Sequence, residues 1–97
     1  MNINSAGNKM IDELYELIVS LKSTDDCRIL FNDLCTNKEI EQMAQRVCAA
    51  RLLIEGKTYN QVIEETDISS ATLSRVSRCV QYGEGYRKFL ADENEEK

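Results

Sequence analysis

The chemistry open to this chain is concentrated in one stretch, Thr58 to Val80, which reads TYNQVIEETDISSATLSRVSRCV. Ser69, Ser70, Ala71, Thr72 and Ser74 gather small and hydroxylated side chains at the head of a helical segment, and Arg75 and Arg78 follow within its next turns. Small side chains at such a helix start let its backbone approach the floor of a DNA major groove. There, hydroxyls bond to base edges and the methyls of Ala71 and Thr72 meet a thymine methyl. Arg75 and Arg78 can then reach guanine or phosphate. The competing reading is a well-capped surface helix whose arginines are simply solvated.

Other chemistry is scarce. The chain has no His, so Ser-His and Cys-His nucleophile pairs and His-based zinc sites are unavailable. No carboxylate pair sits in a recognisable catalytic setting, and the reading is a non-enzyme with no catalytic residue, metal ligand or cofactor. Cys27, Cys35, Cys48 and Cys79 are separated by 7, 12 and 30 residues without a C-x-x-C pair. That spacing names neither a redox dithiol nor a zinc knuckle. Four reduced, mostly buried thiols are expected.

The elements that must position the Thr58–Val80 stretch are helices. Ninety-seven residues suffice for one small domain, and the absence of Pro suits helices with short connections. Met10, Ile11, Leu14, Leu17, Ile18 and Leu21 recur on one helical face. Ser23 and Thr24 ahead of Asp25 and Asp26 cap a second helix through Ile29, Leu30, Phe31 and Leu34. Thr36 and Glu39 form a T-x-x-E box that opens a third, with Ile40, Met43, Val47, Ala50 and Ile54 along its apolar face, widened by Ala44, Cys48 and Leu52 or Leu53. Gly56 closes it.

Thr58 and Gln61 form a T-x-x-Q box and start a short fourth helix. Asp67 supplies a left-handed turn, Ser69 or Ser70 caps a fifth helix with Leu73, Val76 and Val80 inward and Ala71, Ser74, Arg75 and Arg78 outward, and Tyr86, Phe89 and Leu90 mark a sixth. The pattern over residues 58–80 is a helix-turn-helix. The domain is expected over residues 10–91, with a flexible segment at 1–9 and an acidic tail at 92–97. So many short helices cannot each own a core, and a two-fold homodimer joined through the amphipathic first helix is expected over a monomeric bundle. No apolar run reaches membrane-span length and Met1–Lys9 lacks a secretory pattern, so a cytoplasmic protein with no membrane partner is expected.

The net charge of −5 argues at first against a nucleic-acid partner, since phosphate binding runs on Lys and Arg. Its distribution argues otherwise. Residues 1–45 hold eight acids and four bases, residues 46–91 five acids and seven bases, and residues 92–97 four acids and one base. The helix-turn-helix therefore lies in a mildly basic region, which implies modest, salt-sensitive DNA affinity.

The run TNKEIEQMAQRVCAARLLIEGKTYNQVIEETDISSATLSRVSR, with the two helices before it, resembles the Trp repressor superfamily, most closely its YerC/YecD branch, over about residues 10–91. The resemblance implies an all-α, six-helix fold, an intertwined homodimer and a transcriptional regulator bound to double-stranded DNA, a repressor, with the fourth and fifth helices as reading head. It also implies DNA-facing roles for Gln61, Ser69, Ser70, Ala71, Thr72, Ser74, Arg75 and Arg78. Gln61 and Glu64 stand where relatives tend to carry basic residues, which reduces phosphate anchoring there. Members that bind tryptophan use positions matched here by Thr36, Arg46 and Arg75, but Val76 replaces a Gly and Cys79 a Ser in that pocket. Val76 takes volume an indole needs and a thiol is a poor hydrogen-bonding group, so tight tryptophan binding is not expected. Either packing alone fixes the reading heads or another small molecule serves as effector. The alternative function is a helix-turn-helix that docks another protein without reading DNA.

Overall fold

The computed structural model describes residues 5–91, and within them the chain is helical without a strand. Helices α1 (Ser5–Val19), α2 (Thr24–Leu34), α3 (Asn37–Ile54), α4 (Tyr59–Thr66) and α5 (Ser70–Tyr82) are followed by a π-helical turn, α6 (Arg87–Ala91). The acidic tail at 92–97 lies outside the described residues, as does the start of the N-terminal segment. Ser5 to Lys9, assigned from the sequence to a flexible segment, belong to α1. Apolar periodicity marks only the packed part of a helix, and polar turns extend an already nucleated helix at little cost.

The boundaries follow from local hydrogen bonding. The Ser23 hydroxyl accepts from the Asp26 N–H at 3.0 Å, and the Asp26 carboxylate accepts from the Lys22 N–H at 3.0 Å. Asp25 and Asp26 also place negative charge in the first turn of α2, where the helix dipole favours it. At the far end of α3, the Lys57 N–H donates to the Leu52 carbonyl and the Gly56 N–H to the Leu53 carbonyl, each at 3.0 Å. This double closure needs a left-handed residue, and Gly56 supplies it with φ 98°.

The chain forms two compact units, residues 1–37 and 38–97. In the first, no residue from 6 to 34 is buried. Leu14, Ile18 and Leu21 are half-buried, while Met10, Ile11, Tyr15, Leu17 and Val19 are exposed. In the second, Ala49 and Ala50 of α3, Val62 of α4, Ile68, Leu73, Val76 and Val80 of α5, and Leu90 of α6 form one cluster, with Leu52, Leu53, Ile54, Ile63 and Tyr86 packed against it. Each large side chain fully removed from water here contributes about 1.5–3 kcal/mol. Among the described residues no helix is long and apolar enough to cross a membrane.

Two sequence expectations are corrected. The cysteines are free, but Cys27, Cys48 and Cys79 are exposed and Cys35 is half-buried. On α3, Val47, Ala44 and Cys48 are likewise exposed; Ala50 is buried as expected, and Ala49, outside the expected stripe, is buried beside it. A small chain of short helices has little interior to offer. These side chains lie on exposed faces of their helices.

Candidate nucleic-acid interface

The site is built by α4, the turn after it and α5. Thr58 opens α4 with a complete capping box: its hydroxyl accepts from the Gln61 N–H at 3.2 Å, and Gln61 Oε1 accepts from the Thr58 N–H at 2.8 Å. Gln61 is exposed, and with its oxygen turned back onto the cap, its amide nitrogen remains to donate outward.

Asp67 ends α4 in the left-handed region, φ 63° and ψ 16°, with its N–H on the Ile63 carbonyl at 2.8 Å. Asp tolerates that conformation better than most residues. The Thr66 hydroxyl donates to the Val62 carbonyl at 2.7 Å and accepts from the Ile68 N–H at 3.2 Å. Ile68 is 2% exposed and anchors the turn in the core.

Ser69 is the residue that caps α5. Its hydroxyl accepts from the Thr72 N–H at 3.2 Å and donates to Thr72 Oγ1 at 2.9 Å. Along α5, Leu73, Val76 and Val80 are buried, as is Ser77, which sequence reasoning did not single out. Ser70, Ala71, Ser74, Arg75 and Arg78 are exposed, and Thr72 is half-buried. The 3.6-residue period thus divides α5 into a packed side and a polar, cationic side.

The far end of α5 is fixed twice. Gly83 caps it with its N–H on the Cys79 carbonyl at 2.9 Å, and Arg87 Nε donates to the Val80 carbonyl at 2.8 Å. A Cβ at Gly83 would stand 2.8 Å from the Cys79 carbonyl oxygen, so only glycine permits this approach.

The residues matched to a tryptophan pocket are placed differently from one another. Thr36 belongs to the N-terminal unit. Arg46 is half-buried and lines a polar groove of about 410 Å³, with Lys38 and Glu41 of α3, Asp67 and Ser69 of the turn and Thr72 of α5. Arg75, Val76 and Cys79 do not line that groove. Val76, 1% exposed, is core. Arg75 and Cys79 are on exposed parts of α5.

The model of the family "Trp repressor protein" matches residues 9–94. The uncharacterized protein YerC of Bacillus subtilis (strain 168) is 44% identical over 92 residues, spanning 95% of this chain and 88% of that protein. A crystal structure of a candidate Trp repressor from Staphylococcus aureus superposes with a TM-score of 0.86 at 36% identity, covering 97% of this chain and 95% of the other. A TrpR-like protein from Eubacterium eligens gives a TM-score of 0.84 at 37% identity, covering 89% and 90%. The helix-turn-helix, the order of helices around it and the match over nearly the whole length agree: the chain belongs to the Trp repressor family.

Proposed function

We propose that this protein is a sequence-specific DNA-binding transcriptional regulator, a repressor, that reads a pseudo-palindromic operator as a cytoplasmic homodimer and does so without tryptophan. The observation that carries the reading is the division of α5: Leu73, Val76 and Val80 are sealed in the core while Ser70, Ala71, Ser74, Arg75 and Arg78 stand exposed on a helix entered through a capped turn. Family membership supports the same assignment. Thr72, Ser74 and Arg75 would contact base edges, Gln61 and Arg78 would contact phosphates, and Ser69 would hold the helix start. Exposed Glu64, Glu65 and Asp67 beside this face oppose phosphate. They hold the affinity to a modest level and leave selectivity to the base contacts.

Uncovered apolar surface supports the homodimer. Met10, Tyr15, Val19 and Ile29 are 60–82% exposed. An apolar groove of about 390 Å³ in the C-terminal unit is lined by Val47, Gly85, Tyr86, Phe89 and Leu90. Exposed apolar patches mark association sites. Two copies place two reading helices about one helical turn of DNA, ~34 Å, apart.

Gel-shift titration on pooled duplexes at increasing salt tests the reading. Retention of particular sequences with affinity falling as salt rises is expected. Absence of any sequence preference, with binding of a protein partner instead, would turn the assignment to a docking module. Calorimetric titration with tryptophan is expected to show no tight binding, because Val76 already fills core volume. Micromolar affinity would overturn the tryptophan-independent part.

A further inference from the structure

A reading helix must meet DNA at a fixed angle, and that angle is set where α5 leaves the turn. The hydrogen bonds described above at the turn run between residues no more than four apart: Asp67 to Ile63, Thr66 to Val62 and Ile68 to Thr66. They shape the turn but do not tie it to α3. Gln45 does. Its Nε2 donates to the Thr66 carbonyl at 3.0 Å across 21 positions of sequence, and the contact is partly buried.

The chemistry makes this bond directional. The Thr66 carbonyl is among the last four of α4 and has no partner within that helix. Gln45 lies one turn before Ala49, which is fully buried, so its stem leaves α3 on the packed side and its amide reaches the turn. Reversing the amide would set oxygen against oxygen, which fixes the nitrogen toward Thr66.

We infer that Gln45 is a positioning residue for DNA readout: its bond to Thr66 locks the α4–α5 turn against α3, so that Thr72, Ser74 and Arg75 arrive at base edges in register. The inference rests on the DNA reading proposed above. It separates two components of affinity. Non-specific binding depends on charge, which a neutral substitution at Gln45 leaves alone, whereas base readout depends on geometry.

The test compares affinity for a duplex selected by the wild-type protein with affinity for a random duplex, at one salt concentration, in wild type, Gln45→Met and Gln45→Lys. Gln45→Met keeps the volume and removes the donor. Its selected-to-random ratio is expected to fall about 3- to 10-fold, the scale of one hydrogen bond, with random-duplex affinity unchanged. Gln45→Lys restores a donor of similar reach, so its ratio is expected to recover while both affinities rise with the added charge. An unchanged ratio in Gln45→Met, or a ratio in Gln45→Lys as low as in Gln45→Met, overturns the positioning role. Should Gln45→Met fail to fold, Gln45→Glu, an acceptor without a donor at neutral pH, takes its place: its added negative charge is expected to lower both affinities, and the selected-to-random ratio is read against the same two outcomes. A wild-type protein that does not distinguish the duplexes overturns the DNA reading itself, a result distinct from either.

Discussion

Helices α1 and α2 bury none of the residues from 6 to 34, whereas the segment from α3 to α6, with the turn it contains, supplies all eight buried apolar side chains of the described residues. Both regions are rich in Leu, Ile and Val at helical spacing. Periodicity shows that a face must be covered; it does not show which surface covers it. In the C-terminal unit, the faces of α3, α4 and α5 close on each other and release one side of α5 for polar work. In the N-terminal unit the faces remain open; on the proposed function they serve assembly together with the apolar groove of the C-terminal unit, while α4 and α5 serve recognition.

Breaking the assembly side is expected to have the largest effect. In the proposed homodimer, Ile11→Lys combined with Leu17→Lys would change two half-exposed positions in each subunit. Counting half of the full burial value for each of the four removes on the order of 3–6 kcal/mol of association. Sedimentation is expected to move from dimer to monomer, and an unchanged dimer would mean that α1 does not form the interface.

The core of the recognition side comes next. Leu73 is fully buried, and Leu73→Ala is expected to cost about 2–5 kcal/mol of stability, read from denaturant melts at fixed protein concentration. A loss below about 1 kcal/mol would contradict the packing of α5.

On the outer face of the same helix the expectation reverses. Thr72→Ala and Arg75→Ala are each expected to lower discrimination between selected and random duplexes by about 1–3 kcal/mol while the dimer sediments as before. Preserved sequence preference in both variants would remove α5 from the reading role.

The smallest effect belongs to the helix cap. Thr58→Ala opens one side of the capping box on α4 and is expected to lower stability by about 1 kcal/mol, with the dimer unaffected. This distinguishes local tuning of the reading head from assembly.

Much of the recognition side was legible in the residues because it is written between near neighbours. The Thr58–Gln61 box, the left-handed Asp67, the Gly56 closure and the inward and outward faces of α5 all depend on contacts within one or two turns. What was not legible depends on distant or absent surface. Cys27, Cys48 and Cys79 look like core residues by type, yet they are exposed. Val47 fits the apolar stripe of α3 but is exposed, while Ala49, outside that stripe, takes the interior beside Ala50. Gln45 shares a helical face with Ala49, which was the available sign of its inward reach. Its partner, a backbone carbonyl 21 positions away, leaves no mark in side-chain types. The need for glycine at Gly83 appears only where the chain passes the Cys79 carbonyl.

The division of labour between the two regions is tested most directly by sequencing the duplexes that the intact protein retains from a random pool. The retained sequences are expected to contain two inverted half-sites whose centres lie about one helical turn, ~34 Å, apart, because the proposed homodimer would present two α5 helices on one side. Retained sequences with no shared motif, or with a single motif lacking an inverted mate, would contradict the paired reading head.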